Sequence, residues 1–128
     1  LCVKNTGAHE MTATQIFQLV STVSLVAPIV IAVAILFGLR RPRHVAARAI
    51  VAIFVAWIAS IIYTALIYNP AGIASAIEQG IDSPVMKFDN NAIASTLLGG
   101  WIIPLATVCV FLVGRGIWQW HRNRVAET

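Results

Sequence analysis

Three long intervals without a charged residue dominate the pattern of apolar and polar positions along this chain. They run over residues 11–39, 49–77 and 90–114, and apolar side chains make up most of each one. A helix crosses the hydrocarbon core of a bilayer with about 20 consecutive apolar residues, and every interval is longer than that. The pattern therefore predicts an all-α integral membrane protein with three transmembrane helices.

Turn residues and charges divide this single membrane domain, residues 1–128, into spans and connections. The predicted order is an outer tail (1–13), span 1 (14–39), an inner loop (40–45), span 2 (46–68), an outer loop (69–90), span 3 (91–118) and an inner tail (119–128). We expect Asn69-Pro70 to stop span 2, because proline has no backbone N–H and restricts the residue before it.

The outer second loop has a periodic pattern of its own. Ile73, Ile77 and Ile81 recur every four residues, whereas Glu78 and Gln79 fall elsewhere around the helix. An apolar stripe of this kind is typical of a helix that lies on a surface. The pattern predicts a short amphipathic helix in this loop.

Composition argues against the main alternative, a soluble all-α protein with buried helices. The chain is 59% hydrophobic and 11% charged, whereas soluble domains carry about 25% charged residues. A chain of 128 residues is also too short to bury three such helices inside a water-facing shell.

The basic residues indicate an orientation in the membrane. Seven of the nine Lys and Arg residues lie in the first loop and near the C-terminus: Arg40, Arg41, Arg43, Arg48, Arg115, Arg122 and Arg124. Lys4 and Lys87 lie in the N-terminal segment and the second loop. Because basic residues near span ends stay in the cytoplasm, the N-terminus is predicted outside and the C-terminus inside.

The same arginines have a second interpretation, in which they bind the head groups of anionic lipids. The candidates are Arg40, Arg41, Arg43, Arg48, Arg122 and Arg124. A topology signal alone explains them as well, and we favour it, although the two interpretations are compatible.

Small residues form a ridge along span 2. Ala52, Ala56, Ser60 and Thr64 recur every four residues, and Ser95 and Gly99 form a similar pair in span 3. Small residues let helix backbones approach closely, and close packing holds helices together in lipid. The ridge predicts a helix-packing interface with another subunit or a second copy; chance is the alternative, since alanine is common in this chain.

Polar residues gather toward the predicted outer half of all three spans. Gln18 and Thr22 in span 1 and Tyr63 and Tyr68 in span 2 are candidates for an outer-leaflet cleft. Such a cleft would bind a lipid, a quinone-like molecule or a partner helix, and Gln18 is its best single candidate. Hydrogen bonding between helices and partial hydration near the interface explain the same residues without a ligand.

The sequence offers little for catalysis. His9, His44 and His121 lie outside the spans, and no span contains His, Asp, Glu or Lys. Intramembrane hydrolysis needs a nucleophile with a base or a metal, and ion-coupled transport usually needs an ionisable group in the membrane. We therefore predict no catalytic residue, no metal site and no cofactor, and no nucleic-acid partner, because topology accounts for the basic residues.

The leading functional hypothesis is a non-enzymatic membrane protein that acts through helix packing, as an accessory subunit of a membrane complex or as a self-associating bundle. One alternative is a membrane-permeabilising protein, because three spans with a short basic inner tail resemble the general plan of three-span phage holins, in architecture only. The other is a lipid- or quinone-binding module. The lack of an Asn-x-Ser/Thr acceptor fits a bacterial inner membrane.

Overall fold

Three helices in the part of the chain that the structure describes are long and apolar enough to cross a membrane. The computed structural model describes residues 11–40, 43–81 and 91–126. The three span-length helices are Ala13–Gly38, Val45–Glu78 and Asn91–Ala126. This confirms the predicted all-α class with three spans.

Bends and a local widening divide the second and third helices into shorter elements. In chain order the elements are α1 (Ala13–Gly38), α2 (Val45–Tyr63), a π-helix (Thr64–Tyr68), α3 (Asn69–Glu78), α4 (Asn91–Gly99) and α5 (Ile102–Ala126).

The first helix begins with a capping box. The Thr12 hydroxyl accepts a hydrogen bond from the Gln15 backbone N–H at 3.3 Å, and the Gln15 side chain accepts one from the Thr12 N–H at 3.1 Å. This reciprocal pair satisfies two backbone donors that a helix start leaves without partners. The start of α1 is therefore fixed by its own sequence.

The second helix continues past Asn69-Pro70, contrary to our expectation. It runs without a break through the π-helix and α3 to Glu78, so the separate amphipathic helix predicted for the second loop is the end of this long helix instead. The Asn69 N–H donates to the carbonyl of Thr64, five residues earlier. The wider turn makes room for the Pro70 ring, which in an α-helix collides with the carbonyl four residues back.

The third helix bends between α4 and α5. Residues 100 and 101 form a turn, and a Cβ atom on Gly100 would collide with the Thr96 carbonyl oxygen. Pro104 follows one turn later and is fully buried. A glycine is needed here because the backbone of one turn lies against the next.

The core of the bundle is built from small side chains. The buried apolar cluster consists of Ala32, Leu36, Ala49, Ala52, Ala56 and Val108. α1 packs along α2, the π-helix and α3, and α5 packs against α1 and α2. α4, by contrast, packs against α2 and the π-helix. A gap is therefore left between α1 and α4 at the level where the third helix bends.

Candidate functional site

The gap between α1 and α4 is an open cleft with a volume of about 660 Å³. Its apolar walls include Pro28 and Ile31 of α1, Ile62 of α2 and Ile103 of α5. Leu25 and Leu66 line it as well and are exposed, so the cleft opens toward the surroundings of the bundle. For a helix bundle in a bilayer, those surroundings are lipid.

Hydroxyl groups supply the polar part of the lining. The polar residues around the cleft are Ser24, Ser60, Tyr63, Thr64, Ser95 and Thr96. Thr64 is the most deeply buried of them, with 6% of its surface exposed. Its hydroxyl oxygen lies 3.1 Å from that of Thr96, so these two residues join the π-helix to α4 across the cleft.

Both threonines are also anchored to their own helices. The Thr64 hydroxyl donates to the Ser60 carbonyl at 2.8 Å, and the Thr96 hydroxyl donates to the Ala92 carbonyl at 2.9 Å. The Ser60 hydroxyl donates in the same way to Ala56, at 2.8 Å. Such bonds to the carbonyl four residues back are usual for Ser and Thr inside helices.

Two aromatic residues tie the walls together. The Tyr63 hydroxyl donates to the Val20 carbonyl of α1 at 3.0 Å. The Trp57 indole N–H donates to the Thr96 carbonyl at 3.3 Å and thereby connects α2 with α4. Both bonds link different helices, so they hold the cleft walls at fixed positions.

A smaller cavity of about 290 Å³ adjoins the cleft and shares Ser24, Thr64 and Thr96 with it. Tyr68 lines this second cavity, and its ring packs against that of Phe17 with the centroids 5.3 Å apart. The polar region thus extends from the middle of α1 toward the end of the bundle where α1 begins.

The structure brings together only some of the residues predicted for a cleft. Tyr63 lines the main cleft and Tyr68 the adjoining cavity. Gln18 and Thr22 are exposed on α1 and line a separate shallow groove. There the Thr22 hydroxyl donates to the Gln18 carbonyl at 3.0 Å. Gln18 therefore lies outside the main cleft, in a groove that borders it at Leu25.

The small-residue ridge is used inside the chain. Ala52 and Ala56 are completely buried in the core. Ser60 and Thr64 continue the ridge into the cleft, where Ser95 and Gly99 lie on the opposite wall. The predicted interface residues therefore pack this chain's own helices or line its cleft.

Arg48 and Glu78 cap the two ends of α1. Arg48 is half-buried, and its Nη1 donates to the carbonyls of Leu36 and Leu39 at 3.4 and 3.3 Å. At the other end, a Glu78 carboxylate oxygen accepts from the Thr14 backbone N–H at 2.9 Å. A cation at the C-terminus of a helix and an anion at the N-terminus both match the helix dipole.

The other predicted arginines occupy solvent-exposed positions where the structure describes them. Arg40 and Arg43 are exposed beside the first loop. The guanidinium group of Arg122 lies 5.0 Å from the ring centre of Trp118 and that of Arg124 lies 4.3 Å from Trp120, as in cation–π pairs. Arg41 lies outside the described residues.

Sequence reasoning missed two residues that hold the helices in place. Trp57 ties α2 to α4 through its bond to the Thr96 carbonyl, and Glu78 adds a second cap to the start of α1. One signal was available, since a tryptophan in the middle of a span has an N–H group that needs a partner. Within residues 11–40, 43–81 and 91–126, no three His, Cys, Asp or Glu side chains cluster in a way that could hold a metal ion.

Comparison with protein-family models, with curated proteins and with solved structures finds no match for this chain.

Proposed function

We propose that this protein is a non-enzymatic integral membrane protein that binds a small, mainly apolar molecule of the bilayer in the cleft between α1 and α4. The observation that carries the proposal is the cleft itself, with its volume of about 660 Å³ and its apolar walls around a few hydroxyl groups. Sites for small molecules are typically clefts of about 300–1,000 Å³, lined mainly by apolar side chains with a few polar groups.

The chemistry of the lining favours binding over catalysis. The described residues around the cleft present hydroxyl groups, but no carboxylate, imidazole or thiol. Catalysis of proton or group transfer usually needs such a group as a base or an activated nucleophile. The hydroxyls of Ser60, Thr64 and Thr96 are instead bound to backbone carbonyls, an arrangement suited to positioning a ligand.

We further propose that the ligand enters sideways from the lipid of a bacterial inner membrane. Exposed Leu25 and Leu66 flank the opening, so a molecule dissolved in the bilayer reaches the cleft without crossing water. In this proposal the N-terminus is outside and the arginine-rich loop is inside, as the distribution of basic residues predicts.

The second candidate function is that of an accessory subunit, in which a transmembrane helix of a partner or of a second copy covers the cleft. Ser95 and Gly99 favour it, because these small residues lie four positions apart on the cleft wall and Ser95 is exposed. Small residues at this spacing allow close approach of another helix.

Filling the cleft tests the first candidate. Ala27 lines the cleft, and the Ala27→Phe side chain would occupy part of it. The matched control is Ala34→Phe, because Ala34 lies two turns further along the same helix and is exposed. We expect lipid extracts of the purified chain to contain a stoichiometric small molecule that Ala27→Phe loses and Ala34→Phe retains.

The same purification separates the two candidates. A polypeptide that co-purifies at a fixed ratio and is lost from Ala27→Phe would support the accessory-subunit function instead. If wild type and both variants carry the same bulk lipids and no partner, the binding proposal is wrong. The holin-like alternative stays a prediction, and loss of membrane potential on expression would be its test.

A further inference from the structure

The hydrogen-bonding groups around the cleft are strongly biased toward acceptors. A hydroxyl has one proton and two lone pairs, and a carbonyl oxygen can only accept. When a hydroxyl lies at hydrogen-bond distance from a carbonyl, its proton is therefore used there. The hydroxyl groups of Ser60, Thr64 and Thr96 each donate their proton to the carbonyl four residues back. The Tyr63 hydroxyl donates its proton to the Val20 carbonyl.

The Thr64–Thr96 pair shows this bias most sharply. The two hydroxyl oxygens are 3.1 Å apart, yet each already donates to its own helix, at 2.8 and 2.9 Å. Three short contacts therefore share only two protons. When both protons point to the carbonyls, two sets of lone pairs face each other, and because the cleft opens to lipid beside Leu25 and Leu66, bulk water does not relieve this.

Pro28 adds a backbone acceptor to the same region. It lies inside α1 and has no N–H, so it cannot donate to the carbonyl of Ser24, four residues earlier. Ser24 and Pro28 both line the cleft. In membranes, carbonyls freed by proline are satisfied by neighbouring groups, and a ligand in the cleft is in position to supply one.

Resting on the function proposed above, we infer that the cleft selects an amphiphile whose polar group donates a hydrogen bond, such as a long-chain alcohol. The hydroxyl of the ligand donates to the Thr64–Thr96 oxygen pair, and its apolar body lies along Pro28, Ile31 and Ile62. A molecule of the same shape that carries only acceptors, such as an ether or a quinone, would place lone pairs against lone pairs.

Thr22 is the matched control. Its hydroxyl donates to the carbonyl four residues back, that of Gln18, at 3.0 Å, as the Thr64 hydroxyl does to Ser60. Thr22 lines the exposed groove on α1 and not the cleft. Removing its hydroxyl should therefore leave selectivity unchanged.

The test is a competition between two matched probes on the purified 128-residue chain in detergent. 1-Hexadecanol and hexadecyl methyl ether are added in equal amounts, and native mass spectrometry measures the ratio of the two complexes. Ala27→Phe gives the background. We expect wild type to favour the alcohol by about fivefold, the ratio that one net hydrogen bond supplies. Thr64→Val should bring the ratio close to one, while Thr64→Ser and Thr22→Val keep the wild-type ratio.

The outcomes separate this inference from the function on which it rests. If both probes bind above the Ala27→Phe background in equal amounts, or if Thr64→Val keeps the preference, donor selection is wrong although the cleft binds apolar molecules. If the ether is favoured, the inference is overturned outright. If neither probe exceeds the background, the proposed binding function and this inference fail together.

Discussion

Arg48 is a charged residue near one end of span 2, and its side chain stabilises the end of the neighbouring helix α1. Its Nη1 donates to the carbonyls of Leu36, in the last turn of α1, and of Leu39, directly after it, where a helix leaves its carbonyls without backbone partners. The hydrogen-bonding capacity of the guanidinium group is not fully satisfied, because Nε is buried and has no hydrogen bond to the described residues. Arg48 thus stabilises the end of α1 with only part of its hydrogen-bonding capacity.

Removing this cap should lower the stability of the bundle. We expect Arg48→Met to reduce the free energy of unfolding by about 1 kcal/mol, the net value of a typical hydrogen bond, because the unpaired Nε is lost together with the cap. Denaturant titration in detergent measures it. Arg43→Met is the control, since Arg43 lies near the same loop and is exposed, and we expect a change within about 0.5 kcal/mol. Equal losses in both variants would contradict the capping role.

At the scale of elements, the bend between α4 and α5 decides whether there is a cleft. α5 packs on α1 and α2, whereas α4 packs on α2 and the π-helix. The turn at residues 100 and 101 makes this change of neighbours possible. Gly100 donates its N–H to the Thr96 carbonyl at 2.8 Å, so the bend is coupled directly to a residue of the cleft.

Two adjacent glycines allow a matched test of this bend. A Cβ atom on Gly100 collides with the Thr96 backbone, whereas on Gly99 it meets only Ile102 Cδ1, at 3.9 Å. We expect Gly100→Ala to lower the free energy of unfolding by about 1–3 kcal/mol, as overpacking does. Gly99→Ala should be neutral or stabilising by up to about 1 kcal/mol. Denaturant titration compares them, and a Gly100→Ala variant as stable as Gly99→Ala would refute the role of the bend.

The helices also show which parts of the structure the sequence could predict and which it could not. The three spans were predictable because each consists of a long uncharged apolar run, and no other structure satisfies the backbone of such a run in lipid. The continuation through Pro70 was not, because it depends on the preceding turn widening into a π-helix. The cleft was only partly predictable, since bonds such as Trp57 to Thr96 join residues 39 positions apart and depend on how the helices pack.

At the scale of the whole molecule, the two caps of α1 bracket the part of the bundle that lipid can surround. α1 has 26 residues and is therefore about 39 Å long, against about 30 Å for the hydrocarbon core. Arg48 lies at one end and Glu78 at the other. Phe111 of α5 packs on Phe37 near the Arg48 end, with ring centres 5.2 Å apart, so α5 reaches the same end as the first loop.

This arrangement gathers Arg40, Arg43 and the arginines of α5 at one end of the bundle. The positive-inside rule predicts that this end faces the cytoplasm. In a background with Cys2→Ser and Cys109→Ala, we expect Lys87→Cys to react with a membrane-impermeant maleimide on intact cells. Asn123→Cys should react only after the cells are permeabilised, which also shows that its thiol is accessible. Labelling of Asn123→Cys on intact cells, with Lys87→Cys protected, would reverse the orientation and put the arginines outside.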